Sequence, residues 1–227
     1  MKILRLAVMT LIVPGMMLVI LWSGGVGSAN AGLLYSQPAN FPGGNASQNA
    51  PNAFASLYVA FDNFTLTRDA FITGVRWQGS YFNPSIQGSI SQFEIIFWSD
   101  AAGLPGNALQ TYGIPGNAGE RFVGIDSGFL KYDYATNLST PFAAYANTIY
   151  WLSIQPTVDF PPQWYWRAGT GGDGQSANII RSVSPDPFPI LQDLAFSLVA
   201  EPPSSLLLGL GLTALVGSRV AGRQRRT

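Results

Sequence analysis

Two kinds of hydrophobic pattern share this chain. At 6–22 and 206–216 apolar residues run on with no polar face, whereas between them they alternate in short bursts broken by Gly, Pro, Asn and Asp. The bursts at 57–61, 64–66, 71–78, 92–99, 122–125, 148–155, 163–168 and 194–199 predict strands, because apolar residues at every second position line one face of a pleat. Within 92–99, Phe93, Ile95 and Phe97 share one face, and Glu94, Ile96 and Trp98 share the other. Within 194–199, Leu194, Phe196 and Leu198 point inward, with Ala195 and Ser197 outward. Such half-buried alternation is the mark of an antiparallel sheet. The run 148–154 is apolar on both faces, which places it centrally. No amphipathic helix of three turns interrupts the series. The pattern predicts an all-β, antiparallel β-sandwich of jelly-roll-like type over 57–200, with an N-terminal signal helix and a C-terminal single transmembrane helix.

Residues 32–56 are small and polar, with three prolines between 36 and 52, and read as an extended arm. Farther on, Leu104-Pro105-Gly106-Asn107-Ala108 is echoed ten residues later by Ile114-Pro115-Gly116-Asn117-Ala118. Pro followed by Gly suits the centre of a type II turn. The echo predicts two turns flanking a short excursion at a sheet edge.

The C-terminal run has three parts. Glu201-Pro202-Pro203 breaks the preceding strand, residues 204–218 form a hydrophobic helix, and 219–226 end in Arg219, Arg223, Arg225 and Arg226. The uncharged stretch 202–218, as a helix, reaches roughly 25 Å, a little under the ~30 Å hydrocarbon thickness. Arginines left in the cytoplasm by the positive-inside rule put the rest of the chain outside. The N-terminal run mirrors it: Lys2 and Arg5, then the apolar stretch 6–22, then Ala29-Asn30-Ala31 before Gly32. This is the layout of a signal peptide over 1–31, with cleavage by signal peptidase between Ala31 and Gly32.

The three-part tail over 201–227 resembles the PEP-CTERM sorting signal, which consists of a Pro-Glu-Pro motif, a hydrophobic helix and an Arg cluster. Glu201 and Pro202 match the motif, Pro203 follows, and Ala200 stands where the first Pro is usual. The resemblance implies an exosortase-type sorting enzyme as partner, cleavage near Glu201-Pro202, and a Gram-negative host that makes exopolysaccharide. The segments at 61–66, 75–81, 97–106, 150–154 and 193–196 resemble the β-sandwich ectodomain that often precedes this signal.

Charge changes the picture once the ends are set aside. Between 32 and 200 lie six basic and eleven acidic residues, a net −5 that the whole-chain balance of zero conceals. No basic patch remains to neutralise phosphates, so nucleic acid is not an expected partner. His and Cys are absent. That excludes disulfides, imidazole-based triads, Cys nucleophiles and the usual zinc sites. No cofactor is expected. Acid–base chemistry falls to carboxylates, of which Glu94 and Glu120 are candidates, but nothing in their spacing pairs them as a glycoside hydrolase requires. The loops 99–103 and 169–175 are Gly-rich with one Asp each, thin for a calcium site.

Aromatic rings offer another chemistry. In Trp164-Tyr165-Trp166-Arg167, Trp164 and Trp166 share one strand face, and exposed rings of this kind stack on sugars. The expectation is therefore an exported, non-enzymatic protein. It is first held at the inner membrane by its C-terminal helix, then delivered to the cell surface or extracellular matrix, where it has a structural role linked to exopolysaccharide. The alternative is a glycan-binding module working through Trp164 and Trp166, and a remote alternative is a carboxylate-based glycoside hydrolase.

Overall fold

The computed structural model describes residues 32–53 and 57–200. Over these residues the chain is all-β, with two seven-stranded sheets in a sandwich-like arrangement. The first sheet holds β1 (Gly32–Gln37), β2 (Ala39–Ala46), β5 (Ala70–Phe82), β8 (Arg121–Asp126), β9 (Phe129–Ala144), β11 (Gln163–Gly169) and β14 (Phe196–Ala200). The second holds β3 (Gln48–Asn49), β4 (Leu57–Thr65), β6 (Gln92–Asp100), β7 (Pro105–Pro115), β10 (Ile149–Thr157), β12 (Ser176–Ile180) and β13 (Ser184–Ile190).

Strand β5 is the spine of the first sheet. One side pairs with β9 along its length; the other is shared by β14 beside Gly74–Trp77 and β11 beside Gly79–Phe82. β1 lies outside β14, β2 outside β11 and β8 outside β9. In the second sheet β10 is central as its two-faced apolar pattern predicts, flanked by β4 and β6. Its side chains from Tyr150 to Gln155 are all buried.

The facing sides interlock through aromatic rings. Phe93, Ile95 and Phe97 of β6 are fully buried, while Glu94 is exposed, as the alternation requires. Trp77 meets Phe93 edge-on at 5.0 Å, and Phe142 stacks on Phe97 at 4.2 Å. Such pairs add about 0.5–1.5 kcal/mol each beyond area burial. A smaller cluster around Phe61, Trp151 and Ala177 packs separately from this main core.

Residues 32–53 are not an arm: they supply three strands. Their polar side chains read as loop chemistry, yet several are buried and serve the backbone where the chain passes from sheet to sheet. Ser47 Oγ donates to Ile154 O (2.6 Å) and accepts from Ala60 N (3.1 Å). Gln48 Oε1 accepts from Trp164 N (2.7 Å), while its Nε2 donates to Val158 O (2.9 Å). The repeated Pro-Gly motif also divides. β7 is an edge strand as predicted, and Gly116 turns with φ 74°, but Pro105-Gly106 lies inside β7 and the first turn falls earlier, at Ala102 (φ 56°) and Gly103 (φ 83°).

Candidate functional site

Trp164 and Trp166 do share a strand face, but it is the inner one. Both are fully buried. Trp164 Nε1 donates to Tyr134 Oη (3.1 Å) and Trp166 Nε1 to Ala195 O (2.9 Å). Neither ring can stack on a sugar, which corrects the glycan-binding expectation at this pair. Alternation alone assigns residues to two faces without saying which face is covered.

The other sequence candidates resolve as structural. Glu120 Oε1 accepts from Tyr81 Oη (2.6 Å) and Tyr134 Oη (2.7 Å), and Oε2 accepts from Gln87 Nε2 (2.6 Å). Burial and this carboxylate together push both phenols up. Glu120 thus pins the β7–β8 loop to the core, and Glu94 stands apart on an exposed face. In the loop 99–103, Asp100 accepts from Gly103 N and from Trp151 Nε1 (2.9 Å). In the loop 169–175, Asp173 accepts from Gln175 N (2.9 Å) and Asn63 Nδ2 (2.9 Å). Asp193 beside it takes Gly172 N (2.9 Å) and Gly174 N (2.7 Å). These carboxylates are turn and loop caps; among the described residues no group of three or more acids is placed to hold a metal ion.

Asp62 is the most deeply buried acid. It accepts from Asn63 N (2.7 Å) and Leu194 N. With its amide turned to satisfy every neighbour, Gln37 donates to Leu194 O (2.6 Å) and Asp62 Oδ2 (2.7 Å) and accepts from Tyr35 Oη (2.7 Å). Burial pushes the Asp62 carboxyl well above its ordinary 3.8, against the pull of the two backbone amides. Burial likewise raises Tyr35 to about 12. The cluster ties β1 and β4 to Leu194, just before β14.

A groove of about 500 Å³ lies elsewhere, on the first sheet. It lies within the usual range for small-ligand sites, roughly 300–1,000 Å³. Strand register lays its floor in two rows. Ser36, Ser197, Arg76 and Ala135 are successive cross-strand neighbours on β1, β14, β5 and β9. Two residues along, Gln78, Asp133 and Arg121 repeat the arrangement on β5, β9 and β8. Pro38 and Gly119 stand at the margins. Asp133 accepts from Gln78 Nε2 (2.8 Å) and from Arg121 Nη2 (2.6 Å). The Arg121 side chain remains 72% exposed, and the Arg76 side chain is exposed and makes no ion pair or hydrogen bond among the described residues. Trp77, beneath, keeps its indole N–H without a protein acceptor.

A family model matches residues 34–186, most of the described chain. The chain belongs to the DUF7901 family, a domain of unknown function. No curated protein matches it. The DUF7901 match begins inside β1, so the segment read as an arm lies within the family's own span. It ends inside β13, short of β14, although β14 forms part of the groove floor in this DUF7901 chain. The groove escaped the sequence reading because six strands contribute to it. Its one legible signal was local: Arg76 and Gln78 alternate with buried Val75 and Trp77.

The expected processing residues Ala29, Ala31, Glu201, Pro202 and Pro203, the basic residues Arg219, Arg223, Arg225 and Arg226, and the two expected terminal helices lie outside the described residues. Among the described residues no helix is long and apolar enough to cross a membrane.

Proposed function

We propose that this is an exported surface or extracellular-matrix protein of a Gram-negative bacterium, sorted through its PEP-CTERM-like tail and non-catalytic in its role there. The jelly-roll-like finer reading belongs to the same proposal, since the chain passes repeatedly between the two sheets. What supports it is the meeting of two residues chosen from sequence as processing limits. Gly32 follows the signal-cleavage site and Ala200 precedes Glu201, and the two are direct ladder partners on β1 and β14. A sandwich bounded by these residues keeps its sheets intact when both flanking segments are removed.

Intact-mass analysis of protein recovered from the cell surface is the test. The expected species has lost both ends and extends from Gly32 to about Ala200. Replacing Arg223, Arg225 and Arg226 with Glu should leave the tail unprocessed and the protein in the membrane fraction. Recovery of the whole 227-residue chain from the surface would overturn the processing, as would unchanged fractionation of the triple variant.

A further inference from the structure

The groove on the first sheet has the chemistry of an anion site set in an acidic domain. Two of the six basic residues between 32 and 200 lie on it with a single acid, although the segment as a whole carries −5. Asp133 takes up part of Arg121 and orients Gln78, while Arg76 keeps its whole planar fork for a ligand. That fork matches a carboxylate in a two-point contact. Ser36, Ser197 and Gln78 add neutral donors and acceptors beside it. Neighbouring strands set these groups about 4.8 Å apart across the floor, a spacing on the scale of one sugar ring. The groove-lining rings Trp77, Tyr134 and Phe196 are buried in the core, so neutral-sugar stacking finds no platform here. Nor does the groove have the helix N-terminus or glycine-rich cradle that receives phosphate esters.

We infer that this groove binds a carboxylate-bearing carbohydrate, such as a run of uronic acid residues, with Arg76 clasping one carboxylate and Ser36, Ser197 and Gln78 meeting ring hydroxyls. Arg121 supplies a second, partly neutralised charge for the adjoining residue. The site is built wholly from the sandwich and stands whether or not the tail is processed.

The test uses the full chain in a non-ionic detergent, titrated calorimetrically with tetragalacturonate, with the carboxyl-reduced neutral tetramer and with a sulfated tetramer. Tetragalacturonate should bind and the neutral tetramer should not. Arg76→Gln should weaken binding roughly tenfold or more, the scale expected for losing a charge-assisted contact. Arg76→Lys should recover only part of it, because the charge returns without the fork. Arg181→Gln, remote from the groove lining, should bind like the parent. Circular dichroism of each variant should match the parent, since Arg76 is exposed. Binding held by the C-terminal arginines would be indifferent to Arg76, so equal affinity of Arg76→Gln and the parent would overturn the site. Absence of tetragalacturonate binding, or equal binding of the neutral tetramer, would do the same; equal binding of the sulfated tetramer would overturn the carboxylate assignment.

Discussion

Gly79→Ala should destabilise the protein although it adds a single methyl group. Gly79 sits on β5 directly beneath the indole of Trp164. A Cβ there would lie 2.5 Å from Cε2 and 2.7 Å from Nε1 of that ring, and closer still to Cζ2. Normal contact needs about 3.4 Å or more, so the indole must move by about 1 Å. It has nowhere to go: Trp164 is fully buried, with Phe93 edge-on at 5.7 Å and Tyr134 at 5.9 Å. Overpacking of this kind costs about 1–3 kcal/mol. Loss of the Trp164–Tyr134 hydrogen bond adds about 0.5–1.5 kcal/mol. Alanine recovers about 0.5–1 kcal/mol of backbone entropy, leaving a net loss of about 2–3 kcal/mol. Urea unfolding of the full chain in detergent should show a lower midpoint at unchanged slope. Combining Gly79→Ala with Trp164→Phe should cost at least ~1 kcal/mol less than the two single losses added, because the smaller ring vacates the clash. A neutral Gly79→Ala, or strict additivity, would refute the seating of Trp164 in the core.

Two further outcomes follow from Asp62 and Glu120. Because burial raises Asp62, the folded chain holds a proton that the unfolded chain has released, so its stability falls as pH rises from about 4 through the folded-state value. Between pH 4 and 8 the urea midpoint of the parent should fall relative to that of Asp62→Asn as pH rises, and a pH-independent difference would refute this. Glu120→Gln keeps one oxygen for Tyr81 and Tyr134 but opposes an N–H to Gln87 Nε2, and should cost about 1–2 kcal/mol by the same unfolding assay; no change would show that the clasp adds nothing.

The elements that sequence made legible are those whose side chains alternate cleanly. β6 and β10 appeared within a residue or two of their observed bounds because apolar side chains repeat along them. β9 was missed even though it is the longest strand, since Asn137 and Pro141 break its pattern where its register with β5 shifts. β13 was missed because Pro185, Pro187 and Pro189 read as loop, yet Pro is tolerated on an edge strand that needs no outward N–H. β12 is short, and its polar Asn178 is buried, which periodicity cannot anticipate. The groove depended on register, a long-range property: Arg76 meets Ser197 and Ala135 only because β14 and β9 pair with β5 as they do.

The pairing of β1 with β14 also sets a timetable. Among the described strands, a chain made from its N-terminus offers β1 first and its ladder partner β14 last. Until β14 is made, Leu33 and Leu34 therefore belong to a strand with no neighbour among the described residues, in a fold dominated by contacts between distant segments. Topologies of that kind fold slowly and expose unpaired strands while they wait. For this sandwich, completion of the first sheet waits on β14, the last of the described strands.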